Sequence, residues 1–159
     1  MARPVLFVDI DGVLNPYAGG CPDGFVEHRL FPQDDPVRVC AAHGAWLHEL
    51  ATVYDLEWGS SWSAEDRAVL GTVLDLPVFA GAVSLPSGRF DPALKVPAVD
   101  ARAGLRACAW IDDLITPDAV AWAAARMAPT FLVHADPSLG MTRAHVDELL
   151  TWARELPGA

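Results

Sequence analysis

Short apolar runs alternate along the chain with longer segments in which apolar residues recur every three or four positions. A run of four to eight apolar residues between turn residues indicates a buried strand, and the longer period indicates a helix. The runs predict strands that begin at residue 5 and that span about 53–58, 78–84, 107–111 and 130–134. The periodic segments predict helices over about 35–52, 63–75, 95–103, 116–127 and 142–156. Strands that alternate with helices predict an α/β fold, a three-layer, Rossmann-like parallel sheet with helices on both faces.

Capping residues mark where the predicted helices begin. Asp35 precedes Pro36, a pair typical of a helix start because proline suits the first helical position. Ser63, Thr116 and Thr142 are N-cap residues, whose side-chain oxygens can accept a hydrogen bond from a backbone N–H of the first turn.

Two aspartates stand at the end of the first apolar run. Asp9 and Asp11 would be costly to bury as ions unless they are paired or bind a cation. Side chains alternate along a strand, so the two carboxylates are expected on the same face, roughly 6–7 Å apart. Gly12 follows and permits a sharp turn. The pair predicts a site for a cation and a reacting group.

Other polar residues follow later predicted strands or open helices. Ser60 and Ser61 come after the second strand, where hydroxyl and backbone N–H groups can hold an anion. Asp112 and Asp113 end the fourth predicted strand, and a divalent cation is the common reason for such a pair. Lys95, the one lysine in the sequence, opens a helix. Ligands of parallel α/β sheets bind at the carboxyl ends of the strands, so these residues are expected at one edge.

The segment 12–35 is rich in glycine and proline and is predicted to be a flap-like loop. Its members Tyr17, Phe25 and Phe31 suggest that the flap is packed. Because the segment directly follows the carboxylate pair, it is placed to cover the site. Arg89 and His134 are candidate substrate contacts at the same edge, or ordinary surface residues.

Composition narrows the class of protein. The 159 residues, 52% of them hydrophobic, fit a single domain over 1–159 with a substantial core. The sequence contains no apolar run long enough to cross a bilayer and no signal-peptide pattern, and its three cysteines have no metal-ligand spacing, so a reduced, cytoplasmic protein is expected. A net charge of −10 disfavours extended nucleic-acid binding and anionic membranes, but it allows a small phosphorylated substrate. The sequence leaves the oligomeric state open.

Four motifs in order resemble the haloacid dehalogenase-like (HAD) superfamily. Asp9-Ile10-Asp11-Gly12 matches the first motif, Ser60 the second, Lys95 the third and Asp112-Asp113 the fourth. The resemblance spans nearly the whole chain. It implies a HAD-like fold, and neither insertion point has room for a cap domain. Trp58-Gly59-Ser60-Ser61-Trp62 is similar to a variant found in small capless members, among them domains associated with RNA repair.

The resemblance implies a Mg²⁺-dependent phosphomonoester hydrolase that works through an aspartyl-phosphate. Asp9 would be the nucleophile, and Asp11 the general acid and then the base. Asp9, the backbone carbonyl of Asp11 and Asp112 would bind Mg²⁺, with Asp113 nearby.

The remaining roles concern the phosphate. Ser60 and Lys95 would bind the transferred phosphoryl group and act in catalysis, with Ser61 and Gly12 as further substrate contacts. The substrate is expected to be a small phosphorylated molecule or a phosphorylated end of a nucleic acid or protein.

Two alternatives stay open at this point. A phosphotransferase or mutase of the same fold would use Asp11 equally well. A non-catalytic, regulatory or binding domain of this fold is less favoured, because all the catalytic positions are filled.

Overall fold

The structure is a computed structural model that describes residues 2–87 and 90–157. Its strands are β1 (Val5–Val8), β2 (Val26–His28), β3 (Val37–Val39), β4 (Asp55–Trp58), β5 (Gly81–Ala82), β6 (Cys108–Asp112) and β7 (Thr130–His134). Its α-helices are α1 (Ala42–Leu50), α2 (Ala64–Leu74), α3 (Lys95–Ala103), α4 (Pro117–Ala125) and α5 (Arg143–Glu155). A 3₁₀ turn at Pro92–Leu94 leads into α3.

The main sheet is parallel and has the strand order β5-β4-β1-β6-β7. Its central strand, β1, therefore lies between β4 and β6. The register pairs Val8 with Trp58 on one side and with Ile111 on the other. Residues that follow these three positions consequently emerge at the same edge of the sheet, which is where the sequence predicts the site.

Helices pack on both faces of this sheet. Leu6 and Val8 of β1 belong to a core that includes buried residues of α1, α2 and α5. Val5 and Phe7 point to the opposite face and belong to a core that includes buried residues of α3 and α4. The alternation of side chains along one strand thus supplies both layers. The predicted three-layer α/β architecture is confirmed.

The first predicted helix is wrong at its start. Val37–Val39 forms β3, which pairs antiparallel with β2, and α1 begins only at Ala42. Val37 and Val39 are buried while Arg38 points into the preceding loop, an alternation that suits a strand. The backbone N–H of Arg38 also donates to the side chain of Asn15, 2.9 Å away. Asp35-Pro36 is therefore a connection within the hairpin, and the 12–35 segment is part of a β-hairpin instead of a purely irregular loop.

The later elements lie close to their predicted positions. Ser63 and Thr116 accept hydrogen bonds from Asp66 N at 3.0 Å and Ala119 N at 3.2 Å, as N-caps do. The third predicted strand is shorter than expected and is confined to β5. Within the described ranges, every helix is too short or too polar to cross a membrane.

His43 connects α1 to the segment that follows β7. The side chain is fully buried, and its Nε2 lies 2.9 Å from the carbonyl oxygen of Met141. The backbone N–H of Met141 in turn donates to the carbonyl of Val13 at 2.7 Å. Burial lowers the pKa of His43 to about 4, so the imidazole is neutral and donates from Nε2.

Protonation of His43 should make stability depend on pH. The unfolded chain, in which a histidine has a pKa near 6.5, binds the proton more readily than the folded protein does. The free energy of unfolding should therefore decrease as the pH falls from about 6.5 towards 4, by up to about 3 kcal/mol from this residue.

Urea unfolding of wild type, His43→Gln and His28→Gln at pH 7 and pH 4.5 tests this. His43→Gln should lose clearly less stability on acidification than wild type. The control removes an exposed histidine from β2 and should follow wild type. Equal acid dependence in all three proteins would contradict the assignment.

Candidate active site

Asp9 lies immediately after β1 and is buried. Its Oδ1 accepts a hydrogen bond from the backbone N–H of Ile10 at 2.8 Å, and its Oδ2 lies 3.0 Å from Lys95 Nζ. Burial and the nearby carboxylate of Asp112 raise the pKa of Asp9, while Lys95 lowers it, and the net direction is well above the usual range. Two hydrogen-bond donors therefore fix the carboxyl group of Asp9, and the surroundings of this group disfavour its ionised form.

Lys95 is the first residue of α3, and only 2% of its surface is exposed. Its Nζ lies 2.7 Å from Asp112 Oδ2 and 3.0 Å from Asp9 Oδ2. Burial alone lowers the pKa of Lys95, but the two carboxylates outweigh it and the pKa rises. The ammonium group thus stays charged and bridges the ends of β1 and β6.

The two acids at the end of β6 have different partners. Asp112 is fully buried; its Oδ2 also accepts from Trp110 Nε1 at 3.1 Å, and its Oδ1 accepts from Leu114 N at 2.9 Å. Asp113 Oδ2 accepts from the hydroxyl of Tyr17 at 2.6 Å. Burial raises the pKa of Asp113, and the hydrogen bond to Asp113 raises the pKa of Tyr17 to about 12.

Three carboxylates form a set that fits a divalent cation. Asp9, Asp112 and Asp113 each offer one oxygen, and these oxygens lie within 4.8 Å of one another. Lys95 compensates only part of their negative charge. An all-oxygen donor set of this kind suits Mg²⁺ better than a softer transition metal.

Asp11 lies apart from this carboxylate set and faces a groove. Its Oδ1 accepts from Asn15 Nδ2 and its Oδ2 from Trp62 Nε1, each at 2.9 Å. Because β1 ends at Val8, both Asp9 and Asp11 lie in the following loop, so the strand alternation expected from the sequence does not place them.

The groove beside Asp11 has a volume of about 760 Å³. Residues of the hairpin segment and of the start of α2 line it. The exposed side chain of Ser61 belongs to the lining, whereas Ser60 is buried and its Oγ accepts from the backbone N–H of Trp62 at 3.1 Å.

Gly12 packs directly against one of the acids. Its φ is +82°, and a Cβ at this position would lie 2.3 Å from Cγ of Asp113. The glycine therefore allows both the turn after Asp11 and the close approach of the end of β6.

The loop after Gly12 is fastened from several sides. The backbone N–H of Tyr17 donates to the carbonyl of Pro137 at 2.9 Å. Arg38 donates to the carbonyls of Pro16, Gly19 and Gly20 at 3.1–3.3 Å. Tyr17 itself is about half exposed, so the predicted packed flap is anchored through its backbone and through its hydroxyl group.

Several residues of the site have no predicted role from the sequence. Trp110 occurs within an apolar run and shows no sign that its indole reaches Asp112. Trp62 belongs to a motif, but the motif gives no hint of its bond to Asp11. Of the two further candidate contacts, His134 is exposed at the end of β7, and Arg89 lies outside the described residues.

No family model matches the sequence, and no curated protein matches it either. Comparison with solved structures identifies the fold of the protein. The HAD domain of effector protein Lem4 from Legionella pneumophila is similar, with a TM-score of 0.61 and 11% identity over 94% of each chain. This protein has the HAD-like fold.

A second structural comparison is weaker. A protein from Vibrio cholerae, assigned as a 3-deoxy-D-manno-octulosonate 8-phosphate phosphatase, aligns with a TM-score of 0.49 and 15% identity, over 99% of this chain and 88% of that one.

The described residues between β1 and α1 form the β2–β3 hairpin segment. This segment is too small to be a separate cap domain.

The contact between Gly12 and Asp113 can be tested by stability. Gly12→Ala should cost about 1–2 kcal/mol for the left-handed backbone and roughly another 1–3 kcal/mol for the clash. Gly24→Ala is a matched control, because Gly24 has a φ of +85° and open space around its Cβ position. Chemical denaturation should show a loss at least about 1 kcal/mol larger for Gly12→Ala. Equal losses would mean that Asp113 moves away at no cost.

Proposed function

We propose that this protein is a Mg²⁺-dependent phosphomonoester hydrolase that forms an aspartyl-phosphate on Asp9. The observation that supports this most directly is the buried set of Asp9, Lys95 and Asp112, joined at 2.7 and 3.0 Å at the carboxyl end of the sheet. Burying three charged groups without a functional ligand is costly, and perturbed buried groups of this kind concentrate at catalytic sites.

In the first step, a carboxylate oxygen of Asp9 attacks the phosphorus of the substrate. The bond between phosphorus and the leaving-group oxygen breaks, and its electron pair stays with that oxygen. Asp11 supplies the proton that converts the leaving group into an alcohol. Its place suits this role, because Asp11 lines a groove of about 760 Å³ that is large enough to receive a leaving group.

In the second step, water attacks the phosphorus of the aspartyl-phosphate. Asp11 takes the proton from this water, and the bond between Asp9 and phosphorus breaks. Inorganic phosphate leaves, and both aspartates return to their starting state. Hydrolysis in this form differs from phosphotransfer only in what accepts the phosphoryl group, so release of free phosphate is the decisive product.

Asp9, Asp112 and Asp113 would hold Mg²⁺, together with the backbone carbonyl of Asp11. A bound Mg²⁺ would polarise a phosphoryl oxygen and offset the negative charge that collects at the site. Lys95 contributes a fixed positive charge to the same oxygens, and Ser60 offers its hydroxyl from the end of β4. Tyr17 keeps Asp113 oriented through the 2.6 Å hydrogen bond.

The nucleophile is tested with an aryl phosphate whose leaving group carries no charge. Wild type should release phosphate with Mg²⁺, lose activity with a chelator and regain it with added Mg²⁺. Asp9→Asn should lower kcat by at least about a thousand-fold, because the covalent step disappears. Asp23→Asn makes the same substitution at an exposed turn and should behave as wild type. Metal-independent turnover, or a fully active Asp9→Asn, would overturn the proposal.

The role of Asp11 is tested by varying the leaving group. An aryl alcohol leaves readily without a proton, whereas an alkyl alcohol does not, so Asp11→Asn should slow alkyl phosphates far more than aryl phosphates. Comparing kcat for both classes in wild type and variant gives the answer. If the variant loses the same factor for both, Asp11 does not protonate the leaving group.

A further inference from the structure

The groove beside Asp11 carries an unusual combination of charges. Its described lining includes five carboxylates, which are those of Asp11, Glu27, Asp34, Asp35 and Asp66. The cation in the same lining is Arg38. The groove is therefore strongly acidic.

Arg38 offsets only one of these five carboxylates, that of Glu27. Its Nε lies 3.3 Å from Glu27 Oε1, and its remaining donors point to backbone carbonyls of the loop at 16–20. Only 17% of its side chain is exposed. Among the described residues, no cation lies within ion-pair distance of Asp34, Asp35 or Asp66, so these charges are left to whatever enters the groove.

Aromatic side chains line the same space. Tyr17, Phe31 and Trp62 border the groove, and the rings of Phe31 and Trp62 meet edge to face with centroids 5.5 Å apart. Carboxylates together with aromatic rings are the surroundings that an organic ammonium group prefers. The volume of about 760 Å³ is that of a small-molecule site.

A second cavity does not serve the leaving group as well. It has a volume of about 360 Å³ and includes Ser61 but is otherwise lined mainly by Leu85, Pro86, Phe90 and Leu94. Asp11 is absent from its described lining. The leaving-group oxygen has to reach Asp11, and the acidic groove is the space that meets this condition.

Resting on the proposed function, we propose that the substrate is a phosphate monoester of a small amino alcohol, whose ammonium group lies in the groove lined by Asp34, Asp35 and Asp66. The phosphate end, a dianion near neutral pH, binds at Asp9 and Lys95. A positive charge at the other end of the substrate suits the acidic groove. The groove repels a second anionic group at that end. Phosphate esters whose leaving group carries a further phosphate or a carboxylate are poor substrates for this reason.

Three alkyl phosphates of equal chain length test the charge preference: 3-aminopropyl phosphate, propyl phosphate and 3-phosphonooxypropanoate. The value of kcat/KM should fall in that order, by at least about ten-fold from the first to the last, since several carboxylates act on a difference of two charges. Raising the NaCl concentration from 50 to 500 mM should shrink the differences by screening.

Substitutions in the groove test whether its carboxylates cause the charge preference. Asp34→Asn with Asp35→Asn should reduce the ratio of kcat/KM for the amino to the carboxy substrate by roughly two- to five-fold per carboxylate. The control, Glu148→Gln with Glu155→Gln, removes the same charge from exposed positions of α5 outside the groove and should leave the ratio unchanged.

An aryl phosphate with an uncharged leaving group separates the two proposals. If it is hydrolysed with Mg²⁺ but the alkyl series shows no charge preference, or the opposite one, the amino-alcohol assignment is overturned while the phosphatase stands. An equal fall in the ratio for the control pair also overturns it. If the aryl phosphate is not hydrolysed at all, both proposals fail.

Discussion

The ammonium group of Lys95 lies between the carboxylates of Asp9 and Asp112, and the neighbouring structure depends on this contact. An ion buried to this degree is tolerated only with partners and further hydrogen bonds. Ile10 N, Leu114 N and the indole of Trp110 supply those bonds to the two acids. The ends of β1 and β6 and the start of α3 are consequently fixed relative to one another by charge as well as by packing.

The hairpin segment extends this arrangement towards solvent. Arg38 donates hydrogen bonds to carbonyls of the loop and to Glu27, and the loop in turn brings the hydroxyl of Tyr17 to Asp113. Trp62 and Asn15 orient Asp11 at the boundary between the buried carboxylates and the groove. A continuous set of hydrogen bonds therefore connects the proposed reaction centre with the surface that meets the rest of the substrate.

Most of the fold is predictable from the sequence because the apolar runs of the main sheet are unambiguous. The alternation of these runs with capped helices predicts the parallel sheet, and β7 and α3 lie where the pattern places them. The hairpin is not predictable in the same way. Asp35-Pro36 carries a valid helix signal, and tertiary pairing of Val37–Val39 with β2 overrides it.

The site shows the same division. The acidic residues at strand ends are conspicuous in the sequence, because they stand next to apolar runs, and Lys95 is conspicuous as the one lysine. The indoles of Trp62 and Trp110 are not conspicuous, since a tryptophan in an apolar context suggests packing until the partner of its N–H is known. The direction of Asp11 likewise depends on Trp62, which comes from a different strand–helix unit.

The central position of β1 also governs the order in which the fold can form. Val5 pairs with Asp55 on one side and with Cys108 on the other. Contacts so distant along the chain slow folding, because long loops must close before any pairing is gained. During synthesis Asp9 is made before Lys95 and β6, and it stays a solvated, ordinary acid until both have been added. The chemistry proposed for it is thus withheld from the nascent chain until β6 has left the ribosome.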